Sequence, residues 1–313
     1  MENSAKKQKP NLMQMMRAPF FSSILTPLLS GTIAAIFIND GAFSVPGFIF
    51  VLLMGVGLHA ATNVYNDIYD TIQGTDKINV HRNDFSGGSG ILVDFPELMP
   101  RMYLVARLAL IVAIAGAVGI SFFIDSHLYP YLAGLLIFSL FFSKYYTAAP
   151  VKLAYRGLGE VSVWFAFGPM AIAVAAISQN VLFEPLVLFL MPISGLSTSS
   201  ILWMGQMIDL DADRATGKLG MVARTGTKAS RYIYFLIQFA IIINVAIIPF
   251  FVPGISFFIF AALIPYVVLF PKIIPIMMRE HANPDGLKPA AKINVMIHMI
   301  FSLFLIIALL LQL

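Results

Sequence analysis

Nine long apolar stretches dominate the sequence, at about 20–38, 47–70, 102–124, 128–146, 157–178, 185–208, 230–251, 255–277 and 291–312. Each is long enough, at about 1.5 Å per residue, to cross the roughly 30 Å hydrocarbon layer of a bilayer as a helix. A chain in lipid must satisfy its backbone polar groups internally, and a run of this length does so as a helix. The expected fold class is therefore all-α: a polytopic membrane protein with nine transmembrane helices in one bundle. Its composition agrees, with 59% hydrophobic and only 12% charged residues, where soluble domains carry about 25% charged. Cysteine is absent, which excludes a disulfide framework and thiol chemistry.

Several borders of these stretches carry helix-starting or turn residues, as at Pro46, Pro130, Gly157 and Pro185. Basic residues precede the first stretch, as in a signal peptide, but its apolar run continues for about 18 residues. It is expected to be retained as the first helix. One integral-membrane domain over 1–313 is expected, with residues 1–15 a flexible cytoplasmic N-terminus.

The charges orient the bundle. All 20 Lys and Arg fall at the N-terminus, in the links after stretches two, four, six and eight, or at the edges of those links. The opposite links contain none. The positive-inside rule then places the N-terminus and the long basic loops in the cytoplasm, with Leu313 outside. Nine crossings are what make that partition complete. The loop after stretch two runs about 30 residues, a length that usually carries function.

Two acidic clusters end stretches two and six, both on the cytoplasmic side. The first is "NVYNDIYD", where Asn63, Asp67 and Asp70 follow i, i+4, i+7 and share one helix face. Asn66 turns away from the other three. The second is "GQMIDLDADRATGK", where Gln206, Asp209 and Asp213 follow i, i+3, i+7 and Asp211 points elsewhere. Each cluster is followed by a glycine and a charge, "GTD" and "GK". The pair reads as an approximate internal repeat, four helices out of step.

Carboxylates stacked at a helix C-terminus repel one another and the negative end of the dipole. A divalent cation relieves both costs. Mg²⁺ takes oxygen ligands, typically one or two carboxylates with water and substrate phosphate. Asp67, Asp70, Asp209 and Asp213 are therefore the expected metal ligands, bridging to a diphosphate whose remaining charge meets nearby Lys and Arg.

At these residues the chain resembles the UbiA superfamily of intramembrane prenyltransferases, along nearly its whole length. "NVYNDIYD" is similar to the family's first motif, with Asn63, Asn66, Asp67 and Asp70 matching. "DLDADRATGK" is similar to its second, with Asp209, Asp213, Gly217 and Lys218 matching. "GMVARTG" places Arg224 on a common arginine. "YTAAPVKLAYRGLGE" resembles the loop after helix four, with Tyr146, Lys152, Arg156 and Gly157 matching. "GTD" and "FSGGSGIL" at 85–92 look most like the 1,4-dihydroxy-2-naphthoate polyprenyltransferase branch, which makes menaquinone precursors. Gly205 and Ile208 stand where that branch often has an amide and an arginine. Gly74 stands where the 4-hydroxybenzoate branch has a third acid.

The resemblance implies Mg²⁺-dependent transfer of a polyprenyl group from its diphosphate to an aromatic acceptor. It further implies a prokaryotic cell membrane with the active site facing the cytoplasm. The expected partners are polyprenyl diphosphate, an aromatic acceptor and the lipid bilayer; no nucleic-acid partner is expected. Dihydroxynaphthoate is the expected acceptor, with hydroxybenzoate, homogentisate, chlorophyllide or a lipid glycerol as alternatives. Asp67, Asp70, Asp209, Asp213 and Tyr146 are the candidate catalytic residues. Asn63, Asn66, Arg82, Lys152, Arg156, Gln206, Lys218 and Arg224 are the candidate substrate-binding residues. Tyr65, Tyr69, Tyr145 and Tyr155 lie in the same segments and are candidates to face an allylic cation.

Two other classes compete. A cation-coupled transporter also uses repeats and acidic residues, but near the bilayer midplane. Here the acids lie at helix ends beside basic loops, which favours a phosphate substrate. A CDP-alcohol phosphotransferase packs its aspartates into one segment, whereas these are split between distant helices.

Overall fold

The computed structural model describes residues 8–83 and 86–313. Among these, nine helices are long and apolar enough to cross a membrane: α1 (Ala18–Ile38), α2 (Val45–Gln73), α3 (Pro96–Ser121), α4 (Ser126–Tyr145), α5 (Gly159–Ile177), α6 (Pro185–Ile208), α7 (Met221–Phe251), α8 (Phe257–Glu280) and α9 (Pro284–Leu310). The all-α expectation holds. The sole β feature of the described residues is an isolated bridge between Asn83 and Ser86.

Several helices outrun their apolar stretches, because hydropathy ends at the first charges while hydrogen bonding does not. Thus α9 starts at Pro284 and carries Lys288 and Lys292 within its polar first turns. Similarly, α7 starts at Met221, but Gly226 adopts φ 74°, ψ 162° and splits a short leading turn from the main helix. Of the flexible segment expected over 1–15, residues 1–7 lie outside the described residues. From Asn11 the chain is docked. Asn11 and Gln14 cap each other reciprocally at 2.9 Å, and Met15 is buried with Val64 and Ile68 of α2.

Lipid offers no hydrophobic drive between helices, so close backbone approach matters. Gly57 of α2 faces Ala109 and Ala113 of α3, where a Cβ would lie 2.7 Å from the Ala109 carbonyl oxygen. Gly116 of α3 returns the fit, since its Cβ would lie 2.6 Å from the Met54 backbone nitrogen. This seam holds α2 against α3 and fixes which of its faces is left for the interior. The main core lies on the other side, where α6 packs on α7 and α8 on α9.

Two local features shape the interior. Ser44 Oγ accepts from Gly47 N at the start of α2, and Gly74 (φ 89°) ends it in a left-handed turn. The chain then doubles back over the helix end. In α5 the turn Ala166–Met170 is π-helical and contains Pro169. Such wide turns push side chains out of regular register and recur at functional sites. Here Ala166, Phe167 and Met170 line the main cavity.

Candidate functional site

The C-terminal end of α2 and the segment after α6 meet at one end of the bundle, and a cavity of about 290 Å³ opens between them. One stripe of α2 runs along it: Gly55, His59, Thr62, Asn63, Asn66 and Asp70. Opposite stand Gln206, Asp209, Asp213 and Lys218. α6 stops at Ile208 and the short helix Leu210–Ala215 takes over. That break keeps Asp209 and Asp213 on the cavity side with Gln206, as their spacing predicts, while Asp211 is exposed.

Lys218 joins the halves. Its Nζ lies 2.9 Å from Asp70 Oδ2 and 3.9 Å from Asp213 Oδ1. Tyr155 OH donates to Asp70 Oδ1 at 2.8 Å, and Thr75 Oγ1 is 2.9 Å from both Tyr155 OH and Thr216 Oγ1. The long loop after α2 closes over this end. Asn79 Nδ2 donates to Asp209 Oδ1 at 2.8 Å, with Ser86 and Gly87 also hydrogen-bonded to that carboxylate. Ser89 N donates to Asp67 Oδ1 at 3.2 Å. Phe85, in the glycine-rich stretch singled out from sequence, lies outside the described residues.

Burial dominates the titration of these groups. It pushes Asp213 up to about 7 and Asp76 up to about 8, and it raises Asp209. Burial alone would lower the Lys218 ammonium, but Asp70 and then Asp213 outweigh it and hold it well above the usual lysine value. Burial also raises the Tyr146 and Tyr155 hydroxyls, so both stay protonated at neutral pH. Asp76 therefore sits as a further carboxyl at the cavity end. Its Oδ2, like Asn66 Oδ1 and Gln206 Oε1, is buried with no hydrogen-bond partner among the described residues.

The expected residues separate into two groups. Asn63, Asn66, Asp70, Tyr146, Gln206, Asp209, Asp213 and Lys218 line the cavity together. The predicted face of α2 is corrected by one position. Asn66, expected to turn away, lines the cavity with Asn63 and Asp70, whereas Asp67 is turned to the loop and to Arg17, whose Nη1 is 3.7 Å from its Oδ1. Four basic candidates are placed elsewhere. Arg82 donates to the Gly87 carbonyl at 3.0 Å and to the Asp76 carbonyl, stapling the loop. Lys152 lies over the Tyr155 ring. Arg156 donates to the Pro150 carbonyl and Arg224 to the Leu219 carbonyl, both at the exposed surface. Tyr65 and Tyr69 stack on each other near Tyr103 of α3, and Tyr145 packs on Phe141.

Arg17 and Asp76 were missed. Arg17 is read from sequence as one more topology-setting charge, yet it lines the cavity and sits 4.7 Å over the Phe20 ring. Asp76 stood in the noted "GTD" triplet, and its distance from the helical face hid its return to the cavity. Among the described residues, no three Asp, Glu or His side chains converge into a metal site by themselves. The donor set is nonetheless all hard oxygen, which suits an ion that completes its shell with water and phosphate.

Comparison with known proteins gives this architecture a family. The model of the UbiA prenyltransferase family matches residues 27–301. A 2-carboxy-1,4-naphthoquinone phytyltransferase of Synechocystis is 28% identical over 212 residues, covering 68% of this chain and 65% of that protein. The chain thus spans somewhat under two thirds of that relative's length. A 1,4-dihydroxy-2-naphthoate octaprenyltransferase of Mycobacterium leprae is 25% identical over 210 residues, covering 67% of each chain. In fold, the chain is similar to a UbiA homologue from Archaeoglobus fulgidus solved with DMAPP and Mg²⁺, with a TM-score of 0.56, 16% identity, and coverage of 94% of this chain and 98% of that one. With its paired acidic segments and nine spans matched along most of their length, the chain belongs to the UbiA prenyltransferase family.

Proposed function

We propose that this protein transfers a prenyl group from its diphosphate to an aromatic acceptor, with Mg²⁺, and that the acceptor is 1,4-dihydroxy-2-naphthoate. The observation that carries the reading is that Asp70, Asp209, Asp213 and Lys218 line one end of a cavity whose remaining wall is mainly apolar. A ligand with a highly charged head and a hydrocarbon tail fits that division. The naphthoate-type names of the relatives favour the acceptor, and the Archaeoglobus homologue's Mg²⁺ and DMAPP favour the metal and donor. We place the charged end on the cytoplasmic face, since the basic links lie there by the positive-inside rule.

Asp70, Asp209 and Asp213 would hold the Mg²⁺ together with diphosphate oxygens. When bound, the ion neutralises charge on the leaving group. Lys218 and Arg17, aimed at the same end, stabilise the charge that grows on the diphosphate as the C–O bond ionises. The allylic cation left behind lies beside Tyr146 and Phe142, whose ring faces favour positive charge. A ring carbon of the acceptor attacks it. In the naphthoate case the carboxylate on that carbon leaves as CO₂, and its bonding pair restores the ring. The apolar walls exclude the water that would otherwise quench the cation.

Membranes containing the protein, supplied with radiolabelled prenyl diphosphate and a panel of acceptors, test this directly. Label should enter dihydroxynaphthoate with Mg²⁺ and not with EDTA. Labelling of a different ring alone would remove the acceptor assignment and keep the chemistry; no labelling of any acceptor would remove the function.

A further inference from the structure

One cavity-lining group has no part in the chemistry above. His59 lies on α2 in the same stripe as Asn63, Asn66 and Asp70. It is 7% exposed, and its Nε2 has no hydrogen-bond partner among the described residues. The ring is held in place by two aromatic neighbours. Phe21 meets it edge-on at 5.6 Å and 81°, and Phe167 at 5.4 Å and 83°. A buried polar atom left without a partner is costly, and in a ligand cavity such atoms fix ligand orientation.

Position identifies the ligand. Helical rise puts His59 roughly 6 Å deeper than Asn63, roughly 10 Å deeper than Asn66 and roughly 16 Å deeper than Asp70. The diphosphate belongs at the Asp70–Lys218 end, too far to reach His59. The prenyl tail is hydrocarbon and offers nothing to Nε2. A bicyclic aromatic whose reacting carbon meets the first prenyl carbon extends across about this interval, and it alone carries polar atoms there. Phe167, which lines the cavity, supplies a flat wall of the right chemistry for such a ring, and Phe21 braces the imidazole from behind.

We infer that His59 is a specificity residue for the acceptor, its Nε2 hydrogen-bonding a ring oxygen of the aromatic substrate at the inner end of the site. This rests on the proposed prenyl transfer. It predicts preference for acceptors bearing an oxygen substituent on the part of the ring remote from the diphosphate.

The test is steady-state kinetics of the purified protein in lipid nanodiscs, varying dihydroxynaphthoate and prenyl diphosphate separately. His59→Phe keeps an aromatic ring and removes the nitrogen; His59→Gln keeps a hydrogen-bonding group. His59→Phe should raise the acceptor KM roughly tenfold or more, the effect of one lost buried hydrogen bond. The diphosphate KM should change less than twofold, and His59→Gln should recover part of the loss. Should His59→Phe fail to fold, His59→Met against His59→Gln makes the same comparison. An unchanged acceptor KM, or equal changes in both KM values, overturns the assignment while leaving prenyl transfer intact. A wild-type protein that prenylates no acceptor removes both.

Discussion

Lys218 Nζ and Asp70 Oδ2 lie 2.9 Å apart, although 148 residues separate them in the chain. This contact links the end of α2 to the segment after α6 and makes one site of two acidic clusters. Lys218 also reaches Asp213 at 3.9 Å, so its ammonium sits between carboxylates from both halves.

Removing that charge exposes its dual role. Lys218→Met leaves buried carboxylates without their cation, and breaking a buried pair of this kind costs on the order of 3 kcal/mol. The thermal midpoint in detergent should fall, and turnover should drop roughly a hundredfold through lost stabilisation of the leaving group. Lys218→Arg should keep the fold and recover only part of the rate. Normal turnover by Lys218→Met would remove the residue from the site.

Arg17 separates a role in the site from one in topology. Its guanidinium lines the cavity and pairs with buried Asp67. Arg17→Gln should lower kcat roughly tenfold in correctly inserted protein. A purely topological charge would instead shift the fraction inserted, measured by protease protection, and leave the kcat of inserted protein unchanged.

The loop over the site depends on Gly88, whose φ is +72° and whose added Cβ would lie 2.7 Å from both Asp76 carboxylate oxygens. Gly88→Ala is strained on both counts. It should impair turnover at least tenfold while the helical circular dichroism signal stays intact, because the spans do not depend on the loop.

Metal dependence should vary with pH. Burial raises Asp213 to about 7 and Asp76 to about 8, and it raises Asp209 as well. A raised carboxyl holds its proton further up the pH scale, and that proton must leave before the oxygen binds a cation. Half-saturating Mg²⁺ should therefore rise as pH falls from 8 to 6, by roughly threefold to tenfold per unit below 7. Carboxylates of ordinary pKa would give a flat dependence across that range, measured by Mg²⁺ titration of turnover.

Much of this architecture is legible in the sequence because the bilayer restricts the choices. Apolar length gives the helices, and the placement of Lys and Arg gives their alternation. Gln206, Asp209 and Asp213 face inward as their spacing predicts. The same reasoning fails by one position on α2. The sets 63, 67, 70 and 63, 66, 70 are overlapping stripes of one helix, and the Gly57–Gly116 seam with α3 decides which faces the cavity. Charge type also misleads. Arg82, Arg156 and Arg224 end on backbone carbonyls, whereas Arg17 and Asp76 reach the cavity through left-handed turns at Arg17 and Gly74 that no periodicity encodes.

If one Mg²⁺-diphosphate headgroup is held by both acidic segments, each segment must contribute to its binding. Calorimetric binding of an unreactive prenyl thiolodiphosphate, with Mg²⁺ and with EDTA, to wild type, Asp70→Asn and Asp209→Asn tests it most directly. Wild type should bind in a Mg²⁺-dependent manner, weakened roughly a hundredfold or more by either substitution alone, with EDTA removing the difference among the three. Binding that is indifferent to EDTA, or that is lost with one substitution and untouched by the other, would contradict it.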